Sequence, residues 1–363
     1  MRPTYLEVNL PQLRKNIEAI RAHVTPARVM AMVKANAYGH GIDGVVPYIE
    51  PYVDYLGVAI LEEGIRLREL GITKPILVAG GTFPEQIPAF IEHDLILTVS
   101  SPELLASAEA AAASAKKKLV AHLKIDTGME RIGVHYYEAE SFLEQSLRCR
   151  NLEIEGIYTH LANSEERDLK HARQQLERFQ EVLQFYEKRG LPIPIRHVAN
   201  SGAVLQFPES HLDMVRPGLM LYGVYPVGVS HTVEIAPALT WRSQVAYSKI
   251  TRPGHPVSYG SLWQAEAETR IVTIPCGYAD GYFRRMTNQA QVIINGKKYP
   301  QVGRICMDQF MVNVGIDIAA VGDEVVLLGD GITAYDLAEW TGTNEYEVLT
   351  NISARVPRVY VKE

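Results

Sequence analysis

Hydrophobic positions fall into two regimes along the chain. Short apolar runs recur at 28–33, 55–60, 76–79, 95–99, 119–125, 154–160, 195–199 and 214–215. Most are separated by stretches with helical periodicity, such as 62–70, the alanine-rich 102–115 and 165–189. Apolar runs of this length between amphipathic helices read as parallel strands buried on both faces. Eight such βα units in about 220 residues predict a closed barrel. Ahead of them, residues 4–10 alternate weakly and read as a strand. Asn9 then caps a helix that has Pro11 in its first turn and Leu13, Ile17, Ile20 and Val24 on one face. Near 233–237 the helical period fades. Alternating runs follow at 239–249, 270–274, 291–294, 309–314 and 324–328, with Asn295-Gly296 as a two-residue hairpin signal and short helices at 334–340 and 346–352. The expected fold is α/β: an N-terminal (β/α)8 TIM-like barrel over residues 1–235 and a C-terminal mostly β domain over 236–363.

Composition narrows the function classes. A length of 363 residues suits two cores at roughly 150 residues each. With 47% hydrophobic and 21% charged residues the chain is an ordinary globular one, which excludes a disordered or fibrous protein. The 36 basic and 42 acidic side chains leave a net charge of −6, which disfavours nucleic acid as a partner. No apolar run approaches the roughly 20 residues of a membrane span, and the opening residues carry no apolar stretch of a signal peptide. Cys149, Cys276 and Cys306 are odd in number and far apart, with no C-x-x-C pair. That pattern implies neither a disulfide framework nor a metal site, and it fits a cytoplasmic protein. Motifs of zincins, serine esterases and P-loop enzymes are absent.

In a parallel barrel the chemistry gathers at the C-terminal strand ends. Those ends carry Lys34, then Lys124 and Asp126 with Arg131 beyond them, then His160, Asn200-Ser201-Gly202 and Arg216-Pro217-Gly218. Lys34 follows five apolar residues. A lysine at the mouth of a buried strand is partly desolvated, which lowers its pKa and frees the amine to form a Schiff base. Ser201, Gly202 and Gly218 suit an anion, because small residues let backbone N–H groups approach a phosphate. A rival reading is Gly39-His40-Gly41-Ile42-Asp43-Gly44, a G-x-G-x-x-G match with Glu62 at the distance of a ribose-binding acid. A dinucleotide turn, however, begins directly at the strand end, and here five residues intervene. Singly, each candidate also has a structural reading: Tyr259 as a core tyrosine, His160 as an interior histidine, Arg131 and Arg216 as ion pairs.

Taken in order, the motifs are more specific. Val33-Lys34-Ala35-Asn36-Ala37-Tyr38-Gly39-His40-Gly41 resembles the cofactor-lysine signature of bacterial alanine racemases, barrel-type pyridoxal-phosphate enzymes. The resemblance continues through Lys124-Ile125-Asp126-Thr127-Gly128-Met129, Arg131-Ile132-Gly133, His197-Val198-Ala199-Asn200-Ser201, Val215-Arg216-Pro217-Gly218, Ser258-Tyr259-Gly260, Gly277-Tyr278-Ala279-Asp280-Gly281, Gly303-Arg304-Ile305-Cys306-Met307-Asp308 and Tyr346-Glu347-Val348. It spans nearly the whole chain.

The resemblance implies interconversion of L- and D-alanine for peptidoglycan, with pyridoxal 5'-phosphate as cofactor and a head-to-tail homodimer. Each site would join one barrel to its partner's β domain. Lys34 would carry the cofactor and handle the proton on the D side; Tyr259 from the other subunit would serve the L side. Tyr38, Ser201, Gly218, Leu219 and Tyr346 would hold the phosphate, with Asn200 and His160 also at the cofactor. Arg216 would face the pyridine nitrogen, and His160 with Arg216 would form a chain to Tyr259. Arg131 would bond the phenolic oxygen and lie near the substrate, the Met307 N–H would meet the substrate carboxylate, and Tyr278 with Tyr346 would narrow the entrance. Lys124 matches a carbamylated lysine that partners Arg131. Glu130 departs from the pattern, standing where a small residue is expected. Two other readings share the barrel. An amino-acid decarboxylase would need a cysteine-acid motif and other phosphate loops that are absent, and a non-catalytic cofactor carrier would lack the last 125 or so residues.

Overall fold

The computed structural model describes residues 2–362. Strand β1 (Tyr5–Asn9) leads into a helix at Leu10–Val24, where Asn9 Oδ1 accepts the Gln12 N–H at 2.9 Å and so caps the first turn. The barrel then follows as β2 (Arg28–Met32), β3 (Tyr55–Val58), β4 (Ile76–Val78), β5 (Ile96–Val99), β6 (Leu119–Asp126), a two-residue β7 (Val134–His135), β8 (Leu152–Tyr158), β9 (Ile195–His197) and β10 (Met214–Val215). All barrel pairings are parallel, and Met214 opposite Arg28 closes the ring of eight, with β7 an appendage on β6. Every residue of β3, β4 and β5 is buried, as expected where helices cover the outer face and side chains fill the inner one. The interior is not wholly apolar: Thr98, His122, Lys124, Thr159, His197 and Arg216 are also buried.

The second unit is mostly strand: β11 (Leu239–Gln244), β12 (Tyr247–Thr251), β13 (Thr269–Ile274), β14 (Gln291–Ile294), β15 (Lys297–Val302), β16 (Phe310–Gly315), β17 (Glu324–Leu328) and β18 (Arg358–Val361), with helices at Ala334–Thr341 and Glu345–Thr350. The sheet order is β12-β13-β16-β15-β14-β17-β11-β1-β18. Its core includes Trp241 edge-on to Tyr282 at 5.8 Å and Tyr282 stacked on Phe310 at 4.5 Å.

Three expectations need correction. The first is the domain boundary: β1 is antiparallel to β11 and parallel to β18, so it belongs to this sheet and not to the barrel. The compact units are Leu13–Ala37 with Ile42–Ala236, and the N-terminal residues through Gln12 with Tyr38–Gly41 and everything from Pro237. The second is the 239–249 run, which is two strands. The Val245 N–H bonds Asp323 O while the next residue, Ala246, bonds Thr273 O, so the chain changes neighbours there. The third is the hairpin partner β15, which has a polar, proline-containing sequence and carries no hydrophobic alternation. Among the described residues no helix is long and apolar enough to cross a membrane.

Candidate active site

Lys34 leaves β2 partly buried and opens a left-handed turn: Ala35, Asn36, Ala37 and Tyr38 have φ of 52°, 56°, 54° and 50°. Such a turn costs roughly 1–2 kcal/mol per non-glycine residue. Polar contacts hold it: Glu63 accepts the Ala35 N–H at 2.6 Å and the Ala59 N–H at 2.9 Å, and Asn36 Oδ1 accepts the Ile42 N–H at 2.8 Å. Burial, aided by the Arg131 charge, lowers the Lys34 pKa below the usual lysine value, and Glu63 opposes the shift. Among the described residues no carboxylate forms an ion pair with this amine.

Arg216 lies deep in the barrel, 5% exposed. Its guanidinium donates to Thr159 O at 2.8 Å, Val198 O at 3.1 Å, His197 Nδ1 at 3.0 Å and, more distantly, His160 Nδ1 at 3.4 Å. Burial brings its pKa down only to about 10, so it stays a cation at neutral pH. His160 falls well below the ordinary histidine range through burial and then the charges of Arg216, Lys124, Arg131 and Lys34, and is therefore neutral. Since arginine can only donate, His160 Nδ1 is the acceptor and its proton sits on Nε2. Lys124, 3% exposed, donates to Ile125 O at 3.0 Å. Burial, then Arg216 and Arg131, push it down to about 7. Lys124 Nζ and the Arg216 guanidinium lie 5.1 and 5.2 Å from the Tyr158 ring centroid, so the same ring meets both basic groups.

Asp126 shapes the loop carrying Arg131 by accepting the N–H groups of Gly128, Met129 and Arg131 at 2.8, 2.9 and 3.2 Å. Glu130 has φ of 54°, a left-handed conformation that glycine adopts freely and a residue with a Cβ only at a cost. Its carboxylate pairs with His135 at 3.0 Å rather than with its neighbour. Asn200 caps the helix Ser201–Gln206, accepting from Ala203 N at 3.1 Å and from Ser164 Oγ at 2.6 Å. Ser201 Oγ accepts the Gly218 N–H at 2.9 Å, which leaves its own hydroxyl proton free to donate, and Leu219 is fully buried.

The remaining candidates lie in the C-terminal unit. Tyr259, Tyr278 and Met307 are 71, 41 and 52% exposed. They line an open recess of about 620 Å³ with Arg304, Cys306 and Asp308. Ser258 pins the Tyr259 loop by donating to Arg304 O at 2.6 Å, and the Ala279 N–H bonds Met307 O at 3.0 Å. A Cβ at Gly277 would lie 2.4 Å from the Cys306 and Met307 carbonyl oxygens, so the two loops approach only through that glycine. Tyr38 and Tyr346 face each other at 6.2 Å in the same unit. Gly39 and Gly41 serve packing rather than a dinucleotide: added Cβ atoms would fall 2.1 Å from Leu349 O and from the Tyr360 hydroxyl. Sequence reading missed Glu63, Tyr158, His122 and Glu155. Their only signal was a polar residue inside an apolar run or on a helix.

The family model described as the alanine racemase N-terminal domain matches residues 8–226, and that of the C-terminal domain matches residues 238–360. An alanine racemase of Carboxydothermus hydrogenoformans is 45% identical over 99% of this chain and 100% of its own length. One from Chlorobaculum tepidum is 44% identical over 98% of this chain and 94% of its own. Among solved structures, alanine racemase of Clostridium difficile 630 superposes with a TM-score of 0.95 at 38% identity, covering 99% of this chain and 96% of that one. The Bacillus anthracis enzyme, solved with bound L-Ala-P, gives 0.93 at 35% identity, covering 100% and 96%.

Proposed function

The chain belongs to the alanine racemase family and is an isomerase, and from that premise we propose that it interconverts L- and D-alanine by two bases with pyridoxal 5'-phosphate held on Lys34. The carrying observation is the Lys34 amine itself, partly buried, of lowered pKa and without an ion-paired carboxylate among the described residues. The barrel's donors suit the cofactor: the Lys34 amine for its aldehyde, the Ser201 hydroxyl proton and the Leu219 N–H with Asn200 for its phosphate, and Arg131 for its phenolic oxygen; the Gly218 N–H would join them by giving up Ser201 Oγ, and Tyr38 and Tyr346 are phosphate donors by resemblance. When bound, the cofactor withdraws electrons from the substrate and acidifies its Cα–H.

Lys34 Nζ then moves a proton on one face of Cα and Tyr259 Oη on the other. A free tyrosine, with a pKa of ~10, is a poor base at neutral pH. His160 supplies the help, since its Nε2–H is the donor able to stabilise a phenolate while Arg216 fixes its tautomer. A buried permanent cation at Arg216 disfavours a proton on a facing pyridine nitrogen, which restrains side reactions. Arg131 and the Met307 N–H hold the substrate carboxylate. Lys124, with an amine about half neutral at pH 7, is suited to add carbon dioxide, forming an N–C bond and releasing a proton; the carbamate would turn repulsion of Arg216 and Arg131 into attraction. The exposure of Tyr259, Tyr278 and Met307 supports a homodimer in which a second copy covers them. A cytoplasmic role supplying D-alanine to peptidoglycan completes the reading.

The test is borohydride reduction with peptide mapping, followed by racemisation in heavy water with alanine, serine, lysine and arginine. Label at a position other than Lys34, or no exchange with alanine, overturns it.

A further inference from the structure

A hydrogen-bonded chain runs through the barrel interior away from the reacting groups. Arg216 Nη1 meets His197 Nδ1 at 3.0 Å, His197 Nε2 meets His122 Nδ1 at 2.9 Å, and His122 Nε2 meets Glu155 Oε2 at 3.0 Å. Both imidazoles are fully buried, while the Glu155 side chain is 28% exposed. The chain has a built bed. His197 stacks on Tyr158 at 4.6 Å, and a Cβ at Gly156 would lie 2.6 Å from His122 Nδ1, so only glycine leaves room for that ring. Tyr55 and Arg28 also face Glu155.

The direction of every proton in this chain follows from its two ends. Arginine can only donate and a carboxylate can only accept. His197 Nδ1 must therefore be a lone pair and its proton must sit on Nε2. His122 Nδ1 must likewise accept, and its Nε2–H must point at Glu155. We propose that Glu155 is a positioning residue for Arg216. By accepting from His122 it keeps that ring's Nδ1 a lone pair, which receives the His197 Nε2–H and so holds the His197 ring in the orientation that accepts from the guanidinium. Burial keeps both imidazoles neutral, against the pull of Glu155 on His122. The consequence for turnover rests on the reading above, in which Arg216 faces the cofactor; the tautomer pattern does not.

The experiment is 15N NMR of the full chain labelled at histidine, with and without pyridoxal phosphate, on Glu155→Gln, Glu155→Lys and His122→Phe. The native chain is expected to carry Nε2–H on both neutral rings at pH 7. Glu155→Gln keeps an acceptor in its amide carbonyl and retains that pattern, with a loss in kcat of less than about threefold. Glu155→Lys places a second donor opposite Arg216, so His122 takes its proton on Nδ1, the His197–His122 hydrogen bond is lost, and kcat falls about tenfold or more at little change in KM. His122→Phe removes the link without adding a donor, so the His197 Nε2–H loses its acceptor and its 15N resonance shifts even if the lysine variant does not fold. A native His197 protonated on Nδ1, a His122 tautomer unmoved in Glu155→Lys, or a His197 Nε2–H resonance unmoved in His122→Phe, overturns the proposal. Because the tautomers are read without cofactor, failure of cofactor binding leaves this test intact.

Discussion

Replacing Lys124 by methionine separates two chemical states of that side chain. As a bare amine it has a folded-state pKa of about 7 against an ordinary 10.5. At about 1.4 kcal/mol per unit, the protonated form costs the folded barrel on the order of 5 kcal/mol as an upper figure. Between those two values the unfolded chain holds the proton and the folded chain does not, so stability rises with pH across that window; below about 7 the penalty is present in full. Methionine has similar length and no charge, and forfeits the hydrogen bond to Ile125 O, worth about 1 kcal/mol, together with the amine's contact with the Tyr158 ring. Under carbon-dioxide-free buffer, Lys124→Met should therefore have a higher urea midpoint than the native chain at pH 6, and the gap should narrow toward pH 9. With bicarbonate the native chain should gain stability and retain one equivalent of 13C label, while the variant gains nothing. A gap that does not change with pH refutes the burial argument. A bicarbonate response shared by the variant refutes the carbamate.

Three further outcomes are expected. Tyr259→Phe should lose Cα exchange in heavy water mainly from L-alanine; equal loss from both enantiomers contradicts the two-base assignment. Gly39→Ala should destabilise by more than ~2 kcal/mol, because its φ of +81° is combined with a backbone oxygen 2.1 Å from the new Cβ. Gly71→Ala, with the same φ and open space around it, should cost only about 1–2 kcal/mol, and thermal melts of the pair isolate the steric part. Arg2→Ala strips the fully buried Asp280 of two 2.6 Å contacts and should cost about 3 kcal/mol by urea titration, because Arg355, 3.4 Å away, compensates only in part.

Much of the barrel was legible because its signal is local. A strand buried on both faces needs a short apolar run, and a covering helix needs a 3.6-residue period. Both are written in consecutive residues, and so is the polar residue that ends each run, which is how Lys34, Lys124, His160 and Arg216 stood out. Strand β15 was hidden because a polar sequence with Pro300 can pair when its neighbour Gln291–Ile294 carries the apolar side chains. Glu63 was hidden because its task, holding the N–H groups of Ala35 and Ala59, is defined only once two strand ends lie beside its helix.

Local patterning along the chain set the eight-unit rhythm, the change of style near residue 236 and the residue types at the strand ends, since hydrophobic burial and helical period act over a few residues. That β1 joins the C-terminal sheet, and that four consecutive non-glycine residues after Lys34 are held left-handed, followed from the assembled fold. It alone decided that Arg216, His197, His122 and Glu155 form one directed chain. Apart from the local Asn36–Ile42 contact, those features depend on partners 19 to 352 positions away, whose hydrogen-bonding needs are met only when the barrel closes and the strands take their register.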